Sequence, residues 1–322
     1  MNKHLCTPSK TNLLPALGIS FLCLTASPLP AQSTPSSASP WITDFQHARE
    51  TAAAAEKDLA ILFTASDWLD LAKAFDKEIL SQEDFLKTAE EHYTLVRLNF
   101  PKDTQTQPSQ TANQNQMLMR AYRIRGFPTL VLADALGRPY AITGYHEGGL
   151  GTWIEEFKQL RQTREKRDRL FDEAKKAGGI GRAKLLDQAL PDLPGNLTAR
   201  YYRNIIDEII KLDPANETGR VGYYKLLIAD VRYADQMQQL EMAGETQKML
   251  ELCDQYLKEA KLEGPSRQGV LFNKVVIYEQ TGRLEDATKT LQDIVATDPE
   301  SPQGKQAAKQ LKDLAPGSKN GN

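Results

Sequence analysis

The thiols are the side chains of this sequence with the strongest intrinsic chemistry, and they are few. Cysteine occurs at Cys6, Cys23 and Cys253, which is too few for a fold that depends on disulfides. Because Cys6 and Cys23 lie in a predicted signal peptide, the mature chain keeps one thiol and forms no intrachain disulfide. A single thiol can pair between chains, react, or fill a small buried position. An apolar helical stripe favours burial as an inert side chain. The stripe comprises Leu250, Leu252, Cys253, Tyr256, Leu257 and Ala260.

The carboxylates and imidazoles offer little further chemistry. Asp67 and Asp70 are three residues apart at a predicted helix start, where paired acids could act in acid–base catalysis. Capping of the helix and interaction with its dipole explain them better. His47, His92 and His146 lie in separate segments, so neither a metal site nor a cofactor site is predicted. The sequence also lacks a Gly-rich phosphate loop and a Gly-x-Ser-x-Gly motif.

Length and charge limit the class of protein that holds these residues. The chain has 322 residues, with 40 Lys and Arg against 42 Asp and Glu and a formal charge of −2. At about 100–200 residues per domain, this length predicts two domains. The balanced charge excludes a global basic field for nucleic acid. No apolar stretch reaches the about 18 residues of a membrane-spanning helix. We therefore expect a soluble two-domain protein without a membrane span.

The N-terminus has the pattern of a secretory signal peptide. Two lysines precede an apolar run, and small residues and prolines follow it. The run is short for a membrane anchor, and cleavage fits after either Ser27 or Ala31. Residues 1–31 are therefore predicted to direct export to the periplasm or cell envelope and then to be removed. Residues 32–40 are polar and are predicted to form a flexible linker.

Residues 41–161 alternate between helical and strand patterns. Asp44 and either Ser66 or Asp67 are expected to cap helices. The polar segment 101–114 has no periodicity and is predicted to be a loop. The order of the elements predicts an α/β sandwich with one central mixed sheet that ends in a hairpin. The predicted strands are 59–64, 93–100, 127–132 and 140–145.

The remainder of the chain is predicted to be helical. Residues 162–180 contain a charged helix that could connect two domains. Residues 181–315 are predicted to form an all-α domain, and residues 316–322 a disordered tail. We therefore expect an α/β domain followed by an all-α domain.

A repeat signal is present near the C-terminus. Pro265 and Pro299 are 34 residues apart, and 34 is the period of the tetratricopeptide helix-turn-helix unit. The same offset aligns Cys253 with Ala287, so Cys253 would take the small position of the repeat. The other repeats are irregular, so a tetratricopeptide-like array is favoured and an unrelated helical bundle stays open.

Several segments of the α/β half occur in an order that is specific when they are taken together. They are Trp41–Phe45, assigned to the first helix; Ile61–Trp68 with Phe75–Leu80; and Ile124–Thr129 with the hairpin at Gly137 and then Thr143–Tyr145. This combination resembles the thioredoxin-like domains of exported bacterial proteins. The resemblance covers about residues 41–157 and implies a thioredoxin-like sandwich for residues 41–161.

The resemblance also indicates where redox chemistry would take place. In redox-active members the tryptophan is followed directly by Cys-x-x-Cys, with the first thiol at a helix N-terminus that stabilises its thiolate. The matching residues here are Leu69-Asp70-Leu71-Ala72, so Leu69 and Ala72 occupy the positions of the two sulfur atoms. Neither side chain can ionise or attack a disulfide. We therefore predict a thioredoxin-like fold without its redox couple, and no enzymatic activity.

A binding groove could remain without the thiols. The resemblance implies a cis peptide bond before Pro128, beside the helix of the absent thiols, and backbone that pairs with an extended substrate segment. The candidate groove residues are Trp68, Leu69, Phe127, Pro128 and Thr129. Retention of Pro128 for the fold alone is an equally good interpretation.

The functional expectation is an exported, redox-inactive thioredoxin-like protein of the cell envelope. It would bind protein or extended peptide segments, or act as a scaffold, without nucleic acid, metal or cofactor. The alternative is a thiol–disulfide exchange factor whose cysteines are supplied by a partner. A purely structural role, with no ligand in either domain, is the third interpretation.

Overall fold

The computed structural model describes residues 39–314. The predicted signal peptide, most of the predicted linker and the predicted tail lie outside these residues. The described residues contain one five-stranded sheet, whose strands lie in the order β1-β3-β2-β4-β5. The strands are β1 Trp41–Ile42, β2 Asp58–Thr64, β3 Tyr93–Asn99, β4 Thr129–Ala133 and β5 Pro139–Gly144.

The sheet is mixed, as the sequence predicts. Strands β1 and β2 pair with β3 in parallel, whereas β4 is antiparallel to both β2 and β5. The assignment of Trp41 and Ile42 to the first helix is wrong, because these residues form the edge strand β1. Two residues are too few to show the alternation that marks a strand. The helix begins afterwards at Phe45, and Asp44 caps it as predicted by accepting a hydrogen bond from the His47 amide at 2.8 Å.

Helices cover both faces of the sheet. The helices of this half are α1 Phe45–Ala54, α2 Asp70–Phe75, α3 Glu83–His92, α4 Ser109–Ala121 and α5 Gly149–Lys176, and a π-helical turn at Asp76–Leu80 extends α2. Along β2, Ala60 and Leu62 pack with the core on the side of α2, α3 and α5. Leu59, Ile61 and Phe63 pack with the core on the side of α1 and α4. This double burial explains why β2 is a continuous apolar run.

Helix α4 begins within the segment predicted to be a loop, so that prediction is wrong for residues 109–114, whereas residues 101–108 precede the helix. The helix starts at Ser109, although its first two turns carry almost no apolar residues. Its polar side chains instead bind neighbouring backbone groups. Gln114 accepts a hydrogen bond from the Phe45 amide at 2.9 Å, and buried Asn115 donates one to the Asn99 carbonyl at 2.9 Å. Hydrogen bonds of this kind leave no trace in a hydrophobic pattern.

The rest of the described chain is helical, as predicted. Helix α5 runs without a break through the predicted border at residue 161, so one helix belongs to both halves. Among the described residues, no helix has the length and apolar character that crossing a membrane requires. The further helices are α6 Gly179–Ala189, α7 Gly195–Tyr201, α8 Arg203–Leu212, α9 Val221–Met242, α10 Thr246–Glu259, α11 Gly264–Gln280, α12 Leu284–Thr297 and α13 Pro302–Leu314.

The period of the last helices differs from the predicted 34 residues. Helices α10 and α12 begin at residues 246 and 284, and α11 and α13 begin at 264 and 302, so both pairs are offset by 38 residues. The prolines that suggested 34 are not equivalent. Pro265 lies in the first turn of α11, whereas Pro299 lies in the turn before α13. By helix start, Cys253 therefore corresponds to Leu291, and all three of Cys253, Ala287 and Leu291 are fully buried.

A buried arginine connects the two halves. Arg167 of α5 is 1% exposed. Its Nη2 lies 3.1 Å from Asp134 of the β4–β5 hairpin, and its Nη1 donates a 2.9 Å hydrogen bond to Tyr202. The Tyr202 hydroxyl donates in turn to the Pro139 carbonyl at 2.7 Å, and Asp168 accepts a 2.9 Å hydrogen bond from Arg167 Nε. We call these five residues the Arg167 joint.

Candidate functional site

The positions that the resemblance assigns to two thiols lie at the start of α2. Leu69 is the N-cap residue, with φ −98° and ψ 116° typical of extended backbone, and it makes no side-chain capping bond. Its side chain is half-buried, whereas Ala72 is 1% exposed. Cys253, which lies in α10, is the free cysteine of the described chain. The helix N-terminus that would stabilise a thiolate is present in the described structure, with hydrocarbon side chains at both positions.

The predicted caps of α2 serve other groups. Asp67 accepts a 2.9 Å hydrogen bond from the Lys102 amide, and the Ser66 hydroxyl lies 3.2 Å from Asn99 Oδ1. The prediction that one of them caps α2 is therefore wrong, because the N-cap is Leu69, which lies three residues after Ser66 and two after Asp67. Asp70 is in the first turn and pairs with Lys73 at 3.0 Å. The two acids are thus held separately, and neither is arranged as half of an acid–base pair.

An aromatic cluster stands beside this helix start. Trp68 is 44% exposed, and its indole N–H donates a 2.9 Å hydrogen bond to the Phe100 carbonyl. The Phe100 ring stacks on Phe127 with centroids 4.8 Å apart, and on the other side faces Phe63 at 6.5 Å. The hydrogen bond fixes Trp68 to the end of β3, while the stacking fixes Phe127. Two large apolar surfaces are therefore held in place without filling the space between them.

That space is an apolar cavity of about 560 Å³. Trp68 and Phe127, both candidates from the sequence, lie in its wall; Leu69, Pro128 and Thr129 do not. The sequence analysis missed Phe100 and the α4 wall with Met119. Phe100 follows β3 directly, so its place at a strand end was a usable signal, whereas nothing in the sequence brings Met119 near Trp68. The lining residues are Trp68, Phe100, Pro101, Lys102, Thr104, Gln107, Ala112, Gln116, Met119 and Phe127. We call this cavity the aromatic groove.

Pro128 and Thr129 follow the groove residue Phe127 in the chain and lie outside the groove lining. The Phe127–Pro128 peptide bond is cis, as the resemblance implies, and Pro128 is buried. Thr129 begins β4, and its hydroxyl donates a 2.8 Å hydrogen bond to the Gly126 carbonyl. On the neighbouring strand, a Cβ at Gly144 would lie 3.1 Å from the Pro128 carbonyl oxygen. Glycine at this position lets β5 approach the proline closely.

Cys253 is enclosed by side chains of the helical half. It is fully buried, and its sulfur lies 3.3 Å from the Tyr233 hydroxyl. Asn273 donates a 3.0 Å hydrogen bond to the same hydroxyl. Burial raises the pKa of the Cys253 thiol, although the hydrogen bond to Tyr233 acts in the opposite direction. A buried neutral thiol of this kind is a poor nucleophile.

His146 follows strand β5 and makes contacts on both sides of its ring. His146 contacts the Glu147 carbonyl at 3.0 Å and the Glu156 carboxylate, and these groups raise the pKa of its imidazole. Its ring stacks on Trp153 with centroids 5.8 Å apart. Within residues 39–314, no three His, Cys, Asp or Glu side chains come together as metal ligands.

Comparisons with known proteins agree with this geometry. Residues 45–157 match the family described as "Thioredoxin-like domain". A disulfide bond reductase, DsbH of Chlamydia pneumoniae, is 32% identical over 108 residues, which cover 34% of this chain and 64% of that protein. A thioredoxin-related protein of the same organism, DsbJ, is 27% identical over 92 residues, which cover 29% of this chain and 26% of that protein.

A solved structure gives a similar match. The chain described as "DsbH Oxidoreductase" is 30% identical, and the match covers 42% of this chain and 94% of that one with a TM-score of 0.36. The matched segments of this chain span 64% and 26% of the two relatives named above. The family match over residues 45–157, together with the mixed sheet and its flanking helices, identifies these residues as a thioredoxin-like domain, which a helical region follows.

Proposed function

We propose that this chain is an exported, redox-inactive thioredoxin-like protein that binds extended protein segments in the cell envelope. The observation that supports the proposal best is the aromatic groove between Trp68 and Phe127. It lies beside a helix start that has Leu69 and Ala72 at the positions of the family's thiols. An apolar segment can bind there by desolvation alone, because burial of aromatic and aliphatic surface requires no sulfur.

The backbone near Pro128 suggests how the segment binds. The sheet ladder of β4 begins at Thr129, which pairs with Phe63 and Gly144. Phe127 precedes this ladder, so its backbone is at the end of the sheet and outside the strand pairing of β4. An extended segment can pair with backbone of this kind as an added strand, while its side chains enter the groove. Main-chain pairing would supply affinity, and the aromatic walls would select apolar side chains.

Truncation of the exposed wall tests the groove. Trp68→Ala should weaken binding of a fluorescein-labelled, uncharged peptide of Leu, Phe and Ser by about 1–3 kcal/mol, measured by fluorescence anisotropy. Stability should change little, because Trp68 is 44% exposed. Met117→Ala is the matched control, since Met117 is 65% exposed and lies outside the groove lining. Equal affinities for the two variants and the wild type would refute the groove.

Export is the second part of the proposal, and it rests on the pattern of residues 1–31. The chain with a C-terminal tag, produced in a bacterium with an outer membrane, should be recovered from the periplasm. Its mass should match cleavage after Ser27 or Ala31. Recovery of the uncut chain from the cytoplasm would contradict this part while leaving the groove untouched.

The names of the relatives favour a second function. One of them is described as a disulfide bond reductase, which suggests thiol–disulfide exchange with cysteines supplied by a partner. This function predicts that the chain accelerates insulin reduction by an added dithiol oxidoreductase beyond the rate of that enzyme alone. The binding proposal predicts no acceleration, because α2 brings no thiol to the reaction.

A further inference from the structure

A second cavity lies where the helical half packs against the end of α4. It measures about 690 Å³ and is bordered by residues 119–125, by α9, and by Asn196 and Asn273. Met119 lines both this cavity and the aromatic groove. Arg125, in its wall, is two residues before Phe127 of the groove. The two cavities therefore adjoin along one surface, and we call the second one the arginine cleft.

The charge of the cleft is unbalanced. Arg120, Arg123 and Arg125 line it, and Glu241 is the one acidic side chain of its lining. Arg120 and Arg125 are exposed, and neither forms an ion pair or side-chain hydrogen bond with a residue that the structure describes. An anionic ligand could therefore pair with both guanidinium groups without breaking an existing contact.

The third arginine is only partly neutralised. Arg123 Nη2 lies 3.7 Å from Asp235 Oδ1, and the same oxygen atom is 2.5 Å from Arg200 Nη2. One carboxylate thus serves two guanidinium groups. Arg123 Nε is buried and has no hydrogen-bond partner among residues 39–314. The cleft therefore keeps a net positive character at the side that faces α4.

The rest of the lining suits a polypeptide. Four apolar side chains contribute flexible hydrocarbon and thioether surface, which adapts to different side chains. Three amide side chains can bind main-chain groups. The apolar residues are Met119, Ile124, Met237 and Met242, and the amides are Asn196, Gln238 and Asn273.

We infer that the arginine cleft binds acidic residues of the same protein segment whose apolar part occupies the aromatic groove. The ligand would be an extended segment in which Asp or Glu residues adjoin a short apolar stretch. This inference rests on the proposed function, because it requires the groove to hold a segment. A protein segment is favoured over a nucleic acid, since methionine and isoleucine side chains line much of the cleft and its basic side chains are confined to residues 120–125.

Three labelled peptides test the inference with the full-length protein. They share a block of Leu, Phe and Ser and differ in an adjoining block of Glu, Gln or Lys, and each is made with the block on either side. One of the two Glu peptides should bind more tightly than the other. In low salt its affinity should be about tenfold higher than that of the Gln peptide with the block on the same side. The Lys peptide should bind no better than the Gln peptide. The preference for Glu should disappear in about 1 M salt, which screens exposed charges.

Charge reversal locates the effect. Arg120→Glu combined with Arg125→Glu should abolish the preference, so that the Glu peptide binds no more tightly than the Gln peptide. Arg169→Glu is the matched control, because Arg169 is exposed, has no partner among the described residues and lies on α5 outside both cavities. The Arg169→Glu variant should still bind the Glu peptide more tightly than the Gln peptide.

The outcomes separate the inference from the proposed function. Equal binding of the Glu and Gln peptides, with both weakened by Trp68→Ala, would overturn the cleft and leave the groove intact. A preference for Glu that survives the double reversal would also overturn the cleft. Oligothymidylate that competes as well as unlabelled Glu peptide would overturn the choice of a protein ligand. Failure of all three peptides to bind would overturn both proposals.

Discussion

The aromatic groove and the Arg167 joint are opposite in construction. The groove has exposed Trp68, held by one hydrogen bond, and an open space between aromatic rings. In the joint, Arg167 is 1% exposed and contacts Asp134, Asp168 and Tyr202. The groove leaves apolar surface in contact with water, whereas the joint places charge inside the protein and pairs it.

The difference indicates which region is available to a ligand. Apolar surface that stays wet in the free protein is stabilised when a ligand covers it. A buried charge network already has its partners, and any opening of it exposes uncompensated charge. The joint therefore fixes the helical half against the sheet, and the groove is the region that the proposed function assigns to ligand binding. Variants in the joint should accordingly change the free energy of unfolding, whereas variants in the groove should change the affinity for a ligand.

The largest expected effect is on the joint. Arg167→Ala should lower the free energy of unfolding by about 3 kcal/mol, because it removes the partner of a buried carboxylate. Asp134 keeps a second partner, Arg138, at 2.9 Å, so its charge is not wholly uncompensated. Chemical denaturation followed by circular dichroism measures the change.

A neighbouring arginine provides the control for that measurement. Arg169 lies two residues further along α5 and is exposed. Arg169→Ala should change the free energy of unfolding by no more than about 0.5 kcal/mol. If Arg167→Ala were as mild as Arg169→Ala, the joint would not be what holds the halves together.

The contacts of the Arg167 joint could not be predicted from the sequence. The sheet, the hairpin and the helical half followed from apolar runs, and Cys253 was expected to be buried from its stripe. Nothing in the sequence paired Arg167 with Asp134 or Tyr202, because the contact depends on how α5 crosses the sheet. The charged segment around Arg167 was read only as a possible connecting helix.

The aromatic groove could be predicted only in part, because some of its lining residues are distant in sequence. Trp68 and Phe127 were found through a resemblance of local motifs, and both line the cavity. Phe100 and Met119 were missed because they reach the groove from β3 and α4, which are distant in sequence. The start of α4 is stabilised by side-chain to backbone hydrogen bonds of Gln114 and Asn115, and such bonds have no periodicity.

Two cysteines introduced at the start of α2 would test whether the edge of the groove can still support redox chemistry. Leu69→Cys combined with Ala72→Cys should give the protein disulfide reductase activity about a hundredfold above the wild-type background. The first thiol would stand at the N-terminus of α2, where unpaired N–H groups lower its pKa below the usual value. Insulin turbidity measures the activity.

Single substitutions are the control for this gain. Leu69→Cys alone and Ala72→Cys alone should stay near background, because one thiol cannot resolve a mixed disulfide within the chain. A double variant that folds, forms its disulfide and remains inactive would show that the groove no longer positions substrates as the family does.

A smaller effect is expected from the missing cap of α2. Leu69→Asp should raise the free energy of unfolding by about 0.5–1 kcal/mol. Leu69 has the extended backbone of an N-cap and makes no side-chain capping bond, so aspartate can supply one. Thermal unfolding checks the change, with Leu69→Ala as the control that removes the side chain without adding a cap. If aspartate destabilised the protein more than alanine does, the packing lost with the Leu69 side chain would outweigh the stabilisation that a cap supplies.

The smallest expected effect concerns the partly buried pair of His146 and Glu156. The Glu147 carbonyl and the Glu156 carboxylate raise the folded-state pKa of His146, so the folded state binds the proton more tightly than the unfolded state. This stabilisation is fully present below the unfolded pKa of about 6.5 and is lost as the pH rises through the folded pKa. His146→Gln should remove this part of the pH dependence. A wild-type stability that rose across the same pH range, relative to the variant, would contradict the assignment.

The central claim is that the thioredoxin-like domain binds protein segments without thiol chemistry. The most direct test is insulin reduction by dithiothreitol, followed with the wild-type protein, with Cys253→Ala and without protein. We predict the same rate in all three reactions, because Leu69 and Ala72 replace the thiols at α2 and Cys253 is fully buried. A wild-type rate clearly above the protein-free rate would contradict the claim, and its loss in Cys253→Ala would assign the chemistry to the helical half.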